Sequence, residues 1–165
     1  MRQLRLEIYG TPAPQGSHRA FINKKTGRPI VTQDSEATRP WRDTVREFAH
    51  DHRPEGWVPL DGPLWARMVF SLARPASAPR RVLFPAARPD LSKLVRCVED
   101  SLTEAGVWSD DARVVAYSRL AKVFAGSDDT DALDVPGVVI EVTDEPPRGA
   151  APANFEAFML AGRPT

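Results

Sequence analysis

"RPDLSKLVRCVEDSLTEAGVWSDD", residues 88–111, decides how this chain is read. On a helical wheel Leu91, Leu94, Val95, Val98, Leu102 and Ala105 fall in one narrow stripe. Residues 90–105 are therefore predicted as an amphipathic helix with that stripe against a sheet. Asp90, Lys93, Cys97, Asp100 and Glu104 cluster on the opposite side, with Arg96 beside them. Gly106 suits the left-handed residue that ends a helix. Acids stand at both ends. Asp90 falls in the first turn, where the helix dipole favours a carboxylate by ~0.3–1 kcal/mol, so it reads readily as a cap. Asp110 and Asp111 stand directly before an expected strand, a setting depleted in Asp. Carboxylates held at element ends suit Mg²⁺, which takes one or two of them and completes its shell with water and phosphate.

Outward from that stretch, "LRLEIYG" (4–10) alternates Leu4, Leu6 and Ile8 on one face and reads as a strand. "TPAPQGSHRAF" is a Pro/Gly connection. "AFINKKTGRPIVT" (20–32) reads as a hairpin with Lys24, Lys25 and Arg28 at its turn. A helix capped by Asp34 or Ser35 follows, regular from Pro40, with Trp41, Val45, Phe48 and Ala49 on one face. "GPLWARMVFSLA" (62–73) is a strand alternating Leu64, Ala66, Met68, Phe70 and Leu72. Residues 74–89 form a long, basic, Pro-rich loop of a length usually tied to function or disorder. "ARVVAYSRLAKVFA" (112–125) and "GVVIEVT" (137–143) are strands flanking an acidic loop. No internal repeat is present. The order β, hairpin, α, β, α, β, β implies one α+β domain over 1–143, a mixed sheet with helices packed against it. A Pro/Ala-rich tail over 144–165 carries an apolar knot at Phe155, Phe158, Met159 and Leu160.

With 165 residues, 42% of them apolar and 27% charged, the chain matches a soluble globular protein and is too short for two comfortable domains. No apolar run approaches the ~20 residues of a membrane span, so no membrane partner is expected. The N-terminus lacks the pattern of a signal or transit peptide. The single cysteine, Cys97, suits a reducing cytoplasm. The zero net charge hides a split: residues 1–97 hold 17 Lys/Arg against 9 Asp/Glu, and residues 98–165 hold 5 against 13. This implies either a basic face for a polyanion or two sequence halves that interleave and cancel in space.

"PDLSKLVRCVEDSLTEAGVWSDDARVVAY" resembles the core of the RusA family of Holliday-junction resolvases, which are phage and prophage endodeoxyribonucleases. That family carries an Asp-Leu-Asp-Asn/Lys-Leu segment, a basic residue shortly after it, a mid-helix Asp, an Ala-Gly turn and an Asp-Asp-x-x-Val-Val segment. About 30 contiguous residues correspond without a gap, and "GTPAPQGSHR" with the strand before the basic loop extends the likeness over most of 1–143. The resemblance implies that Asp90 and Asp111 are catalytic and metal-binding acids, with Asp110 beside them, and that Asp100 matches the mid-helix Asp. Arg96 stands where the family commonly has a catalytic lysine; it remains cationic and can clamp a phosphate. Ser92 stands where the family has its second acid, and so joins the metal set as a weaker donor. The implied activity is Mg²⁺-dependent (Mn²⁺ being the alternative) paired nicking of four-way junctions and other branched DNA. The protein would act as a homodimer in the cytoplasm of a bacterium or phage-infected cell. A homologue that binds junctions without cutting them is the rival outcome of Ser92.

Further contacts are expected from charge. Arg74, Arg80, Arg81 and Arg88 in the basic loop, Lys24, Lys25 and Arg28, Lys93, and Arg119 with Lys122 are candidate phosphate ligands. Phe84 reads as a core anchor, with a wedge between bases as its other role. His50 and His52 read as helix-end residues rather than ligands. The acidic loop 126–136 lacks the pattern of a calcium loop and reads as solvation. For Asp111 to reach Asp90 in one chain, residues 106–111 would have to run straight back along a helix of ~22 Å. Otherwise the partner acid comes from elsewhere, a second subunit included.

Overall fold

The alternation at the start of the chain becomes β1, Gln3–Tyr9, with Leu4, Leu6 and Ile8 buried and their neighbours exposed. The computed structural model describes residues 2–16, 18–22, 29–33 and 38–146. The expected hairpin forms as β2, His18–Ile22, antiparallel to β3, Pro29–Gln33. α1 spans Thr38–Asp51, β4 Leu64–Leu72, α2 Leu91–Glu104, β5 Val114–Phe124 and β6 Gly137–Thr143. The hairpin turn with Lys24, Lys25 and Arg28, the Asp34/Ser35 cap and the knot at Phe155–Leu160 lie outside the described residues.

Four strands form one mixed sheet in the order β1-β6-β4-β5. β6 is antiparallel to β1 and to β4, whereas β4 and β5 run parallel. A parallel pair needs a crossover, and the 74–89 loop with α2 supplies it. The chain is thus the α+β domain that its element order implies. One face of the sheet presents Leu6, Ile8, Met68, Phe70, Val138 and Ile140 to Leu94, Val98 and Leu102 of α2 and to Trp41, Val45 and Ala49 of α1, all in one core cluster. Each such aliphatic side chain, fully buried, contributes ~1.5–3 kcal/mol of transfer free energy. No helix among the described residues is long and apolar enough to cross a membrane.

Two details depart from the simple patterns. β4 is buried on both faces except at Arg67, because it lies between two strands and the 125–136 segment covers its far side. There the Ser71 hydroxyl accepts a hydrogen bond from the Leu133 amide. Cys97, expected on the exposed side of α2, is fully buried with Ser101. α1 packs against α2 and widens the covered arc beyond one stripe, and these small side chains let it approach. Burial pushes the Cys97 thiol up to about 11.

α2 ends as its Gly predicts. Gly106 has φ +67°, its amide bonds Thr103 O, and the Val107 amide bonds Leu102 O, the paired closure of a Schellman cap. The pairing of β5 to β4 slips twice, leaving Val115 and Ser118 without a β4 partner. The two slips bring Val114, Tyr117 and Leu120, spaced by three rather than two, against the core cluster.

Candidate functional site

Asp90 is the N-cap residue of α2, but its carboxylate makes no capping hydrogen bond. It stays more than half exposed, 3.7 Å from Lys93 Nζ. The capping role open to it in sequence is therefore unused. Ser92 and Arg96 are exposed. With Glu99 they follow one another on the helix at spacings of four and three, which places them on one stripe.

The segment bearing the other acids is fixed from several sides. Trp108 is buried, and its indole donates to Thr103 Oγ1 at 2.7 Å. Trp57 Nε1 donates to Val107 O at 3.1 Å. Leu60 exchanges backbone bonds with Val107 and Ser109. Asp61 accepts from Ser109 Oγ at 2.8 Å and pairs with Arg113 at 2.9 Å. On this base Asp110 caps a short 3-10 turn, Asp111–Arg113, accepting from the Ala112 amide at 2.8 Å. Asp110 is therefore a structural cap, and the exposed carboxylate of Asp111 is left facing solvent.

Beside Asp111 lies a residue that the sequence reading missed. The Tyr117 hydroxyl donates to Glu99 Oε1 at 2.5 Å. Burial holds the Glu99 carboxyl above its usual range; the Tyr117 hydrogen bond opposes this, and the charges of Asp111 and Asp100 reinforce it. Tyr117 is raised too, chiefly by burial and then by Glu99. The signal for Glu99 was its place seven residues along from Ser92 and three from Arg96, on one stripe of the helix. Asp100, the likeness to the family's mid-helix Asp notwithstanding, faces α1 and pairs with Arg42, as Glu104 does.

The expected metal set does not come together in one protomer. Among the described residues no three His, Cys, Asp or Glu side chains form a metal-holding group. Glu99, whose pKa Asp111 reaches, lies nine residues past Asp90, ~14 Å along the helix axis. Residues 106–111 pass through the buried Trp108 into the short turn Asp111–Arg113, which meets α2 near Glu99 rather than near Asp90. Asp90, Ser92, Asp110 and Asp111 thus do not fit a closed Mg²⁺ site within one chain, although Asp90 and Asp111 are each exposed hard-oxygen donors.

The expected phosphate ligands divide in two. Arg119 pairs with Asp129 and Asp131, and Arg67 pairs with Asp131, on the sheet face away from α2. Arg119 holds Asp129 below the usual carboxylate range. Burial pushes Asp131 up, but Arg67 and Arg119 outweigh it and bring that carboxyl down. The acidic loop is therefore a counter-charge for these arginines rather than mere solvation. Lys122 Nζ donates to Ala87 O and Pro89 O, each at 2.8 Å, and Arg74 reaches Val82 O at 2.9 Å. Both are tied to the backbone of the 74–89 loop. Arg80, Arg81, Arg88 and Arg96 are exposed. His50 contacts Asp51, and His52 stacks on Phe48 at the end of α1. The sequence halves interleave: Arg2–Asp144, Arg5–Glu141, Arg42–Glu104 and Arg67–Asp131 all join the basic half to the acidic one.

Phe84 is not a core anchor. It is 62% exposed, because the loop is fastened to β5 through its backbone and Arg74 rather than through its apolar side chains. Val82 and Phe84 help wall a shallow pocket of about 360 Å³ with Leu72 and Phe124. Residues 11–143 match the family model described as Endodeoxyribonuclease RusA. No curated protein matches the chain.

Proposed function

Because this chain belongs to the RusA family of endodeoxyribonucleases, a nuclease family of Holliday-junction resolvases, we propose that it resolves four-way junctions by paired, symmetric nicks as a Mg²⁺-dependent homodimer. Mn²⁺ is the alternative ion, and the cytoplasm of a bacterium or phage-infected host is the place of action. The observation that carries the reading is that the two acids at the family's positions, Asp90 and Asp111, are left over by the fold. Asp90 does not cap α2, and Asp111 follows the residue that does the capping.

In this reading, each active site takes Asp90 and Ser92 from one subunit and Asp111 from the other; among the described residues no three acidic, His or Cys side chains of one protomer form a metal-holding group. A C₂ dimer then presents two equivalent sites, as two symmetric nicks require. The bound ion would supply charge neutralisation at the phosphate and an activated water. Arg96 sits on the same stripe as Ser92 and offers a guanidinium to the scissile phosphate. Arg80, Arg81, Arg88 and Lys93, with Lys24, Lys25 and Arg28, are proposed to hold flanking phosphates. Arg119 and Lys122 already have partners within the fold.

A second reading follows from Ser92, which supplies a hydroxyl where the family has an acid: a homologue that binds junctions but cuts weakly or not at all. One assay separates them. A labelled four-way junction incubated with the protein gives symmetric nicks only with Mg²⁺ if the first reading holds. A band shift without nicks at any divalent concentration supports the second, and the absence of both nicks and a band shift refutes both.

A further inference from the structure

Residues 74–89 contain four arginines and no acid, and their loop is built rather than loose. Ala78 N bonds Pro75 O, and Val82 N bonds Pro79 O. The Arg74 guanidinium lies 4.0 Å from the centroid of the Phe124 ring and donates to Val82 O. Lys122 fastens the far end at Ala87 and Pro89. This frame holds Val82, Leu83 and Phe84 outward, 37%, 66% and 62% exposed. Consecutive apolar side chains held in solvent on a fixed loop mark a surface that something covers.

The surroundings say what covers it. Arg80 and Arg81 precede the tip and Arg88 follows it, all exposed and without an acidic partner among the described residues. An apolar tip bordered by unpaired cations is complementary to a ligand that combines phosphates with accessible apolar faces. Continuous duplex hides its base faces in the stack; a branch point, where helices part, offers them. Aromatic side chains recognise such bases by stacking, and apolar wedges hold steps apart.

We propose that the Val82–Phe84 tip reads the branch point, Phe84 stacking on a base exposed there while Arg80, Arg81 and Arg88 hold the adjacent phosphates. The inference rests on the branched-DNA reading above and adds to it the element that separates a junction from a duplex. Phe84 acts in recognition and is not a catalytic residue.

The test compares a four-way junction carrying 2-aminopurine at its centre with a linear duplex of the same arms. Phe84→Ala should bind the junction about tenfold more weakly, the effect of losing ~1.4 kcal/mol of base stacking. It should leave duplex binding unchanged and abolish the fluorescence rise that wild type produces. Phe84→Trp should restore both. Equal junction binding by wild type and Phe84→Ala would overturn the proposal. So would a change of Phe84→Ala from dimer to monomer by sedimentation, since the tip would then be a contact between copies. If wild type itself prefers no junction, the function proposed above fails rather than the role of the tip.

Discussion

Two clusters of aspartates border β5, and the chain uses them in opposite ways. After the strand, Asp129 and Asp131 neutralise Arg119 and Arg67, and Asp131 is only 7% exposed. Before it, Asp110 satisfies one backbone amide and Asp111 faces solvent. Both clusters look alike in sequence. What separates them is whether a cation of the same chain lies within reach: Asp129 and Asp131 are given counter-charges and hold the fold, and the proposed function gives Asp111 an external cation instead.

That contrast can be broken first at Asp111. Asp111→Asn, like Asp90→Asn, should lower junction cleavage at least about a hundredfold, since loss of groups that merely orient metal ligands already costs ~10–100-fold. The melting temperature should not fall in either variant. A large loss of stability in Asp111→Asn would show that this acid belongs with the structural cluster after all.

Asp131→Asn should do the reverse, costing ~1–3 kcal/mol of stability by leaving two arginines without their shared carboxylate. Cleavage at a temperature where the variant is folded should stay near wild type. The pH dependence has a defined sign. The folded pKa values of Asp129 and Asp131 lie below the ordinary value. Their stabilisation is therefore present above pH ~3.9 and is lost as pH falls through the folded values. Denaturation curves of wild type and Asp131→Asn should converge toward acid; a gap that persists at pH 2 would contradict the ion-pair account.

Smaller effects sharpen the picture around α2. Ser92→Asp, which restores the family's acid, should lower the Mg²⁺ concentration for half-maximal cleavage about tenfold; no change would remove Ser92 from the site. Glu99→Gln should be neutral to slightly stabilising at pH 7–8, by a few tenths of a kcal/mol. Glu99 has a raised folded pKa, so its contribution is present below the ordinary value of about 4.3 and is lost as pH rises through the folded one. Thermal melts across pH 4–8 should show the variant gaining on wild type only toward the upper end.

Much of this was legible in the residues. Strict alternation marked β1, apolar residues at every second position marked the inward face of β4, the apolar stripe marked α2, and Gly106 marked its end, because each follows from local geometry. Cys97 was misplaced because packing of α1 against α2 is a property of two helices at once. Phe84 was misplaced because apolar residues usually go inside, and the loop's fastening by Arg74 and Lys122 cannot be seen in its own sequence. The partners of Arg119 and the approach of Asp111 to Glu99 depend on contacts between separate elements. The slips in β5 pairing changed the period of its inward residues from two to three, which no pattern of alternation anticipates.

The measurement that bears most directly on the central claim mixes Asp90→Asn and Asp111→Asn subunits, each inactive alone, and allows them to exchange. If every site combines Asp90 of one subunit with Asp111 of its partner, half the dimers are mixed and each mixed dimer keeps one intact site. Nicking of the junction then returns to about a quarter of the wild-type level, as single nicks. No recovery in demonstrably mixed dimers would contradict the account, because each site would then draw both acids from one chain.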